Sequence, residues 1–410
     1  MADATAVSPG APLGVDVAGL RAEAAAVMGR AVELRRAVHA EPEVGLVLPR
    51  TQERVVAALA GLGLAVSVGT RISSVVAVLE GDRPGPTTLL RADMDALAMP
   101  EDTGLPFASR VDGVMHACGH DAHVGMLVGA AHVLAARRGV LPGRVVLMFQ
   151  PGEEGLAGAQ VMIEEGLLDR SGPIDRAFAL HISSVWESGS ILTRPGALMA
   201  SADSFRLVIT GRGGHASMPH DALDPIPVAC EVVGAFQSMV TRRLPAFDPG
   251  VVTVARVWAG TTSNVIPEEA VLEGTVRAVS EPTRAEARAG VERVAHHVAA
   301  AHGCQARLEW TEKPYPVTIN DAGAADAALA LAAGLVGAGR ARLMPSPLMG
   351  AEDWSYVLAR VPGCMAFLGA APPGVDHPAP NHSNRMVIDE SAMVAGIAMY
   401  AAVALAGPPS

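Results

Sequence analysis

Lysine is nearly missing from this 410-residue chain: Lys313 is the only one, and arginine supplies the rest of the cationic complement. With 31 Lys+Arg against 42 Asp+Glu the formal net charge is −11, and no basic block occurs. A nucleic-acid-binding face is therefore not expected. Cysteine is sparse as well: Cys118, Cys230, Cys304 and Cys364 are too few and too scattered for a disulfide framework, which points to reduced thiols. Long apolar runs are absent too. The segment 392–406 is rich in Ala and Gly and shorter than a membrane span, so it reads as a buried helix. Residues 1–14 lack a basic stretch followed by an apolar core, and the expectation is a cytoplasmic protein with no membrane partner.

What is present is the profile of a globular enzyme: 50% hydrophobic residues, 18% charged, with Gly and Pro spread along the chain. The length favours two domains. Apolar spacing predicts helices over 18–38, 49–62 and 122–137 and strands over 74–79, 87–91, 145–150 and 176–180. Alternation of this kind predicts an α/β domain with a mixed, mostly parallel sheet and helices on both faces. After about residue 200 the order becomes strand 204–210, helix 222–243, strands 250–259 and 270–279, helix 282–302 and strand 305–310. That βαββαβ order is the split βαβ, ferredoxin-like arrangement. The expected division is a catalytic domain over 15–200 and 312–410, with an α+β domain, 201–311, inserted into it.

The densest chemistry lies in His116-Ala117-Cys118-Gly119-His120-Asp121-Ala122-His123. Thiolate, imidazole and carboxylate suit zinc and its neighbours, although satisfied loop histidines are the plainer alternative. Asp93 and Asp95, in Arg91-Ala92-Asp93-Met94-Asp95, follow a β-like run and could hold a metal or orient its histidines. Gln150-Pro151-Gly152-Glu153-Glu154-Gly155 leaves another strand. Adjacent carboxylates there divide naturally into a ligand and a proton acceptor. His181 ends a further β-like run, and His382 sits in a Pro-rich loop before the last helix. In the inserted region His215 lies in Gly213-Gly214-His215-Ala216, a Gly-rich turn without the Lys-Ser/Thr of a phosphate loop. Asn264 and Arg277 flank its third strand, and an arginine fork there fits either a substrate carboxylate or a surface ion pair.

Together these segments resemble the M20 metallopeptidase superfamily, in its aminoacylase, hippurate hydrolase and auxin-conjugate hydrolase branch. The resemblance runs from Arg35-Arg36-Ala37-Val38-His39 to His382, and includes Glu352-Asp353-Trp354-Ser355. It implies two divalent metal ions per chain, zinc or manganese before cobalt or nickel, held by Cys118, His120, Glu154, His181 and His382. Cys118 would bridge, one metal taking Glu154 and His382 and the other His120 and His181. It further implies Glu153 as general base toward metal-activated water, Asp95 as the residue steadying a histidine ligand, and His215 as an oxyanion partner. Asn264 and Arg277 would grip the substrate carboxylate.

The implied reaction is hydrolysis of the amide bond of N-acyl-L-amino acids, and the implied assembly a homodimer through the inserted lid domain. A dipeptidase or carboxypeptidase-like peptidase of the same superfamily is the alternative. A metal-free hydrolase using Cys118 as nucleophile is the rival outside it. The chain departs from the pattern in places: Gly152 replaces a usual Ala beside the Glu pair, and Ile182-Ser183-Ser184 replaces a Val-Trp-Pro-like run. The second change lies beside His181 and bears on acyl-group specificity.

Overall fold

The computed structural model describes residues 5–6, 14–170 and 172–407. The stretch read for a leader lies, apart from Thr5, Ala6 and Gly14, outside the described residues. Two compact units emerge: Met1–Leu198, Ile319–Ser346 and Asp353–Ser410 form the first, and Met199–Thr318 with Pro347–Glu352 form the second. Among the described residues no helix is long and apolar enough to cross a membrane.

The principal elements run α1 (Val17–Ala40), α2 (Pro49–Leu59), β1 (Ala65–Val68), β2 (Val75–Glu80), β3 (Arg83–Asp93), α3 (His120–Ala136), β4 (Pro142–Gln150), β5 (Arg176–Ser183) and β6 (Ile191–Thr193). In the second unit come β7 (Asp203–Thr210), α4 (Pro225–Arg243), β8 (Gly250–Ala259), β9 (Glu269–Ala278), α5 (Glu281–Ala301) and β10 (Gln305–Trp310). The chain then returns to the first unit with α6 (Ala322–Val336), β11 (Ala341–Leu343), β12 (Gly363–Gly369) and α7 (Met393–Leu405).

In the first unit the short strand Thr5–Ala6 opens a nine-stranded sheet that continues β11-β6-β12-β5-β3-β4-β2-β1. Its centre, β12-β5-β3-β4, is parallel throughout. Antiparallel pairings of β2 with β4 and of β6 with β12 flank that centre. The mixed, mostly parallel α/β class read from the sequence is the class observed. Alternate residues of each strand point to opposite faces. Val145, Leu147 and Phe149 of β4 join Phe178, Leu180 and Ile182 of β5 in one core with residues of α1, α3, α6 and α7. Helix α3 has no polar face, since nearly every residue from His120 to Leu134 is buried, as expected of a helix enclosed on all sides. Tyr400 of α7 ties the centre together: its hydroxyl donates to the Arg91 carbonyl at 2.7 Å and accepts the Leu180 N–H at 3.2 Å.

The second unit is a four-stranded antiparallel sheet, order β8-β9-β7-β10, whose core shares residues with α4 and α5. Both helices start on side-chain caps followed by proline: Asp224 accepts from Ile226 N–H before α4, and Ser280 accepts from Thr283 N–H before α5. Chain order and strand order together are those of the split βαβ arrangement.

Candidate metal centre

The parallel strands β3, β4 and β5 deliver their carboxyl ends to one place, where ligands gather in open α/β sheets. There β3 runs into Asp93 and Asp95, β4 into the Glu153 turn, and β5 carries His181 two residues before its end. Helix α3 enters from Gly119, whose φ of +89° is left-handed; a Cβ at that position would lie 2.4 Å from Ile182 Cγ2. Only glycine fits this corner, and the corner is what turns Cys118 and His120 toward the same point.

Hydrogen bonds fix which ring nitrogens face inward. His120 Nδ1 lies 2.8 Å from the Asp95 carbonyl, and His181 Nδ1 lies 2.8 Å from the Ile182 carbonyl. A carbonyl only accepts, so each Nδ1 carries a proton, and in the neutral ring Nε2 then presents a lone pair. His181 Nε2 and His382 Nε2 each lie 3.3 Å from Cys118 Sγ, and His382 Nε2 lies 3.2 Å from Glu154 Oε1. The donor atoms of Cys118, His120 and His181 fall within 4.8 Å of one another, as do those of Cys118, Glu154 and His382, and those of His120, Glu153 and Glu154. His123 belongs to a similar group with Asp93 and His120, but both its nitrogens are spent. Its Nε2 accepts the Ile182 N–H at 2.8 Å, which leaves Nδ1–H to donate to Asp93.

A divalent cation fits this donor set. His120 Nε2 is buried with no hydrogen-bond partner, and Glu154 Oε1 is buried without an aligned one. Leaving such atoms unpaired costs about 1–3 kcal/mol each, and a cation between them removes that cost. Burial pushes the Cys118 thiol up to about 12, so the thiolate needs a neighbouring cation to persist. Burial would lower the His120 pKa, yet Asp93 and Cys118 hold it well above its usual value. His181 is driven the other way by burial and by His123, and stays a neutral imidazole.

Asp95 does something the sequence did not announce. Its two carboxylate oxygens accept the backbone N–H groups of Glu153 and Glu154, each at 3.0 Å, while His120 is met by its backbone carbonyl instead. The residue therefore sets the Glu turn and the histidine together. Beneath it lies a buried network the sequence reading missed. Arg91 pairs with Asp93 at 2.7 Å, with Asp353 at 3.2 Å and with Gln150 at 2.9 Å, while Gln150 donates to Asp353 at 2.7 Å. Each member lies in one of the quoted motifs, which was the available signal; their meeting is visible only in three dimensions.

The remaining candidates belong to the second unit. His215 is exposed, and its Nδ1 accepts the Ser217 N–H at 3.1 Å, which leaves Nε2 as the protonated nitrogen of the neutral ring. Asn264 is its neighbour: the Gly214–His215 strand pairs with Val265–Ile266, and the Asn264 carbonyl accepts the Ala216 N–H at 3.1 Å. Arg277 in β9 is half-buried, with Nη1 lacking a partner and its pKa lowered by desolvation.

Soft and borderline donors at the strand ends of a mixed sheet, beside a second buried carboxylate, define a hydrolase that works with divalent metal ions. The chain belongs to peptidase family M20/M25/M40, whose profile matches residues 89–406. It is 36% identical over 380 residues to the N-acetylcysteine deacetylase of Bacillus subtilis (strain 168), covering 92% of this chain and 96% of that one. It is 35% identical over 377 residues to thermostable carboxypeptidase 2 of Saccharolobus solfataricus, covering 91% and 94%. Among solved structures it resembles the YXEP protein of Bacillus subtilis, a dinuclear metal binding peptidase from the M20 family, with TM-score 0.79, 33% identity and coverage of 93% and 98%.

Proposed function

We propose that the chain hydrolyses the amide bond of N-acyl-L-amino acids at a two-cation centre formed by Cys118, His120, Glu154, His181 and His382. The observation that carries this reading is the fixed orientation of the imidazoles and of Glu154 around Cys118, with the Glu153 carboxylate beside them. Two divalent cations there, zinc or manganese first, supply Lewis acidity and an acidified water. Glu153, only 6% exposed, accepts the proton of the attacking water and returns it to the leaving amine. His215 offers Nε2–H to the developing oxyanion. Asn264 and the half-desolvated Arg277 bind the carboxylate of the amino acid. The working form is a cytoplasmic homodimer formed through the second unit.

The deacetylase relative supports an N-acyl amino acid as substrate, by its name, whereas the carboxypeptidase relative favours a second reading as a peptidase. Metal analysis combined with turnover of N-acetyl-, N-benzoyl- and dipeptide substrates separates them. The expected result is two cations per chain, chelator-sensitive turnover and preference for N-acyl amino acids. Faster cleavage of dipeptides selects the peptidase reading. Chelator-resistant turnover abolished by thiol alkylation overturns both in favour of a Cys118 nucleophile.

A further inference from the structure

We propose that Asn381 is a positioning residue for this centre and that Ser184 is the partner its carboxamide requires; the inference rests on the metal-centre reading above. The Asn381 Nδ2 group donates to the Cys118 carbonyl at 2.9 Å and to the Ile182 carbonyl at 3.1 Å, and Oδ1 accepts the Ser184 N–H at 3.1 Å. Two carbonyl acceptors on one side and an N–H on the other leave the amide a single orientation.

Each of these contacts reaches a segment that carries a metal donor. Cys118 is itself one. Ile182 follows His181, and its carbonyl also fixes the His181 Nδ1 proton. Asn381 precedes His382, whose φ of +68° is left-handed and whose backbone N–H donates to the Ala117 carbonyl at 2.7 Å. A histidine held in that conformation persists only where its surroundings over-determine it. One carboxamide thus binds together three donors that are far apart in the chain.

Ser184 explains a departure noted in the sequence. Where a Val-Trp-Pro-like run is usual, this chain places a fully buried serine at 184. Proline there would offer no N–H to Asn381 Oδ1. The serine also sends its hydroxyl to the Ala379 carbonyl at 2.7 Å, closing the loop that carries Asn381 and His382. Ser184 is therefore committed to the loop.

The test compares Asn381→Ala and Asn381→Asp with Asn320→Ala in the full-length protein. Asn320 is an equally bonded amide of the first unit: its Nδ2 donates to Thr193 Oγ1 and to the Arg194 and Met365 carbonyls, and its Oδ1 accepts the Met365 N–H. It touches none of the donors. Zinc and manganese dissociation constants are read by chelator competition, and the unfolding midpoint of metal-free protein is read alongside. Both Asn381 variants are expected to weaken metal binding about 10-fold or more, while Asn320→Ala lowers the metal-free midpoint and leaves metal binding within about two-fold of wild type. Asn381 variants that bind metal like wild type overturn the proposal, and so does equal weakening by Asn320→Ala. Wild-type protein that takes up no divalent cation overturns the metal centre itself, a different and separable failure.

Discussion

Glu153 and Glu154 are adjacent, and the turn that carries them gives them different work. Gly152 precedes them at a φ of +71°, where a Cβ would meet Leu46 Cδ2 at 2.3 Å, and the backbone leaves helical geometry at Glu154. Asp95 holds both N–H groups, and Glu154 Oε1 lies 3.2 Å from His382 Nε2. Glu153→Gln is therefore expected to lower turnover by about 10²–10⁴-fold with metal content unchanged, whereas Glu154→Gln lowers metal content first. Atomic emission and kcat measured on the same preparations check both. His39 makes a different prediction. Burial pulls its pKa down, but the carboxylates of Asp121, 2.8 Å away, and Glu101, 3.2 Å away, outweigh that and raise it to about 9. Its contribution is full below about pH 6.5, the ordinary histidine value, and is lost as the pH rises through about 9. Each pH unit of that gap is worth about 1.4 kcal/mol, so the total is about 3 kcal/mol. Denaturant titrations should show His39→Gln well below wild type at pH 6 and nearly level with it above pH 9.

The corner before α3 is the element on which the donors depend most. Gly119→Ala forces both a left-handed φ and a clash with Ile182, and is expected to cost about 2 kcal/mol or more. It should also release metal, visible as a lower melting temperature and a lower metal-to-protein ratio. The elements themselves were largely legible. Helices α1 and α3 and strands β3, β4 and β5 announced themselves as apolar stretches of fitting length bounded by glycine, proline and charged residues. Strand β12 did not: all of its residues, Gly363 to Gly369, are buried, so it shows none of the alternation that marks a strand with one wet face. The proposed donors could be picked from the sequence because Cys, His and Glu are chemically conspicuous. Asn381 could not, because a single asparagine in a Pro-rich loop looks like any turn residue. Nor could the Arg91, Gln150 and Asp353 network, whose members are up to 262 residues apart.

Across the whole molecule, bound metal and folding are linked. Cations that bind the native donors and not the unfolded chain stabilise by about 4 kcal/mol at a free concentration 1,000 times their dissociation constant. Stripping them with a chelator should lower the unfolding midpoint as well as stop turnover, and adding back zinc or manganese should restore both. An unchanged midpoint would show that the cations do not bind the native donors in preference to the unfolded chain. The pairing of His382 with Cys118 spans 264 residues, with the whole second unit between them. Synthesis from the amino terminus therefore has an order built into it. A nascent chain acquires Cys118, His120, Glu154 and His181 early and lacks His382, the fifth proposed donor, until the loop before α7 leaves the ribosome. In the proposed centre, a chain that stops before His382 would keep Cys118, His120, Glu154 and His181 and lack the fifth donor.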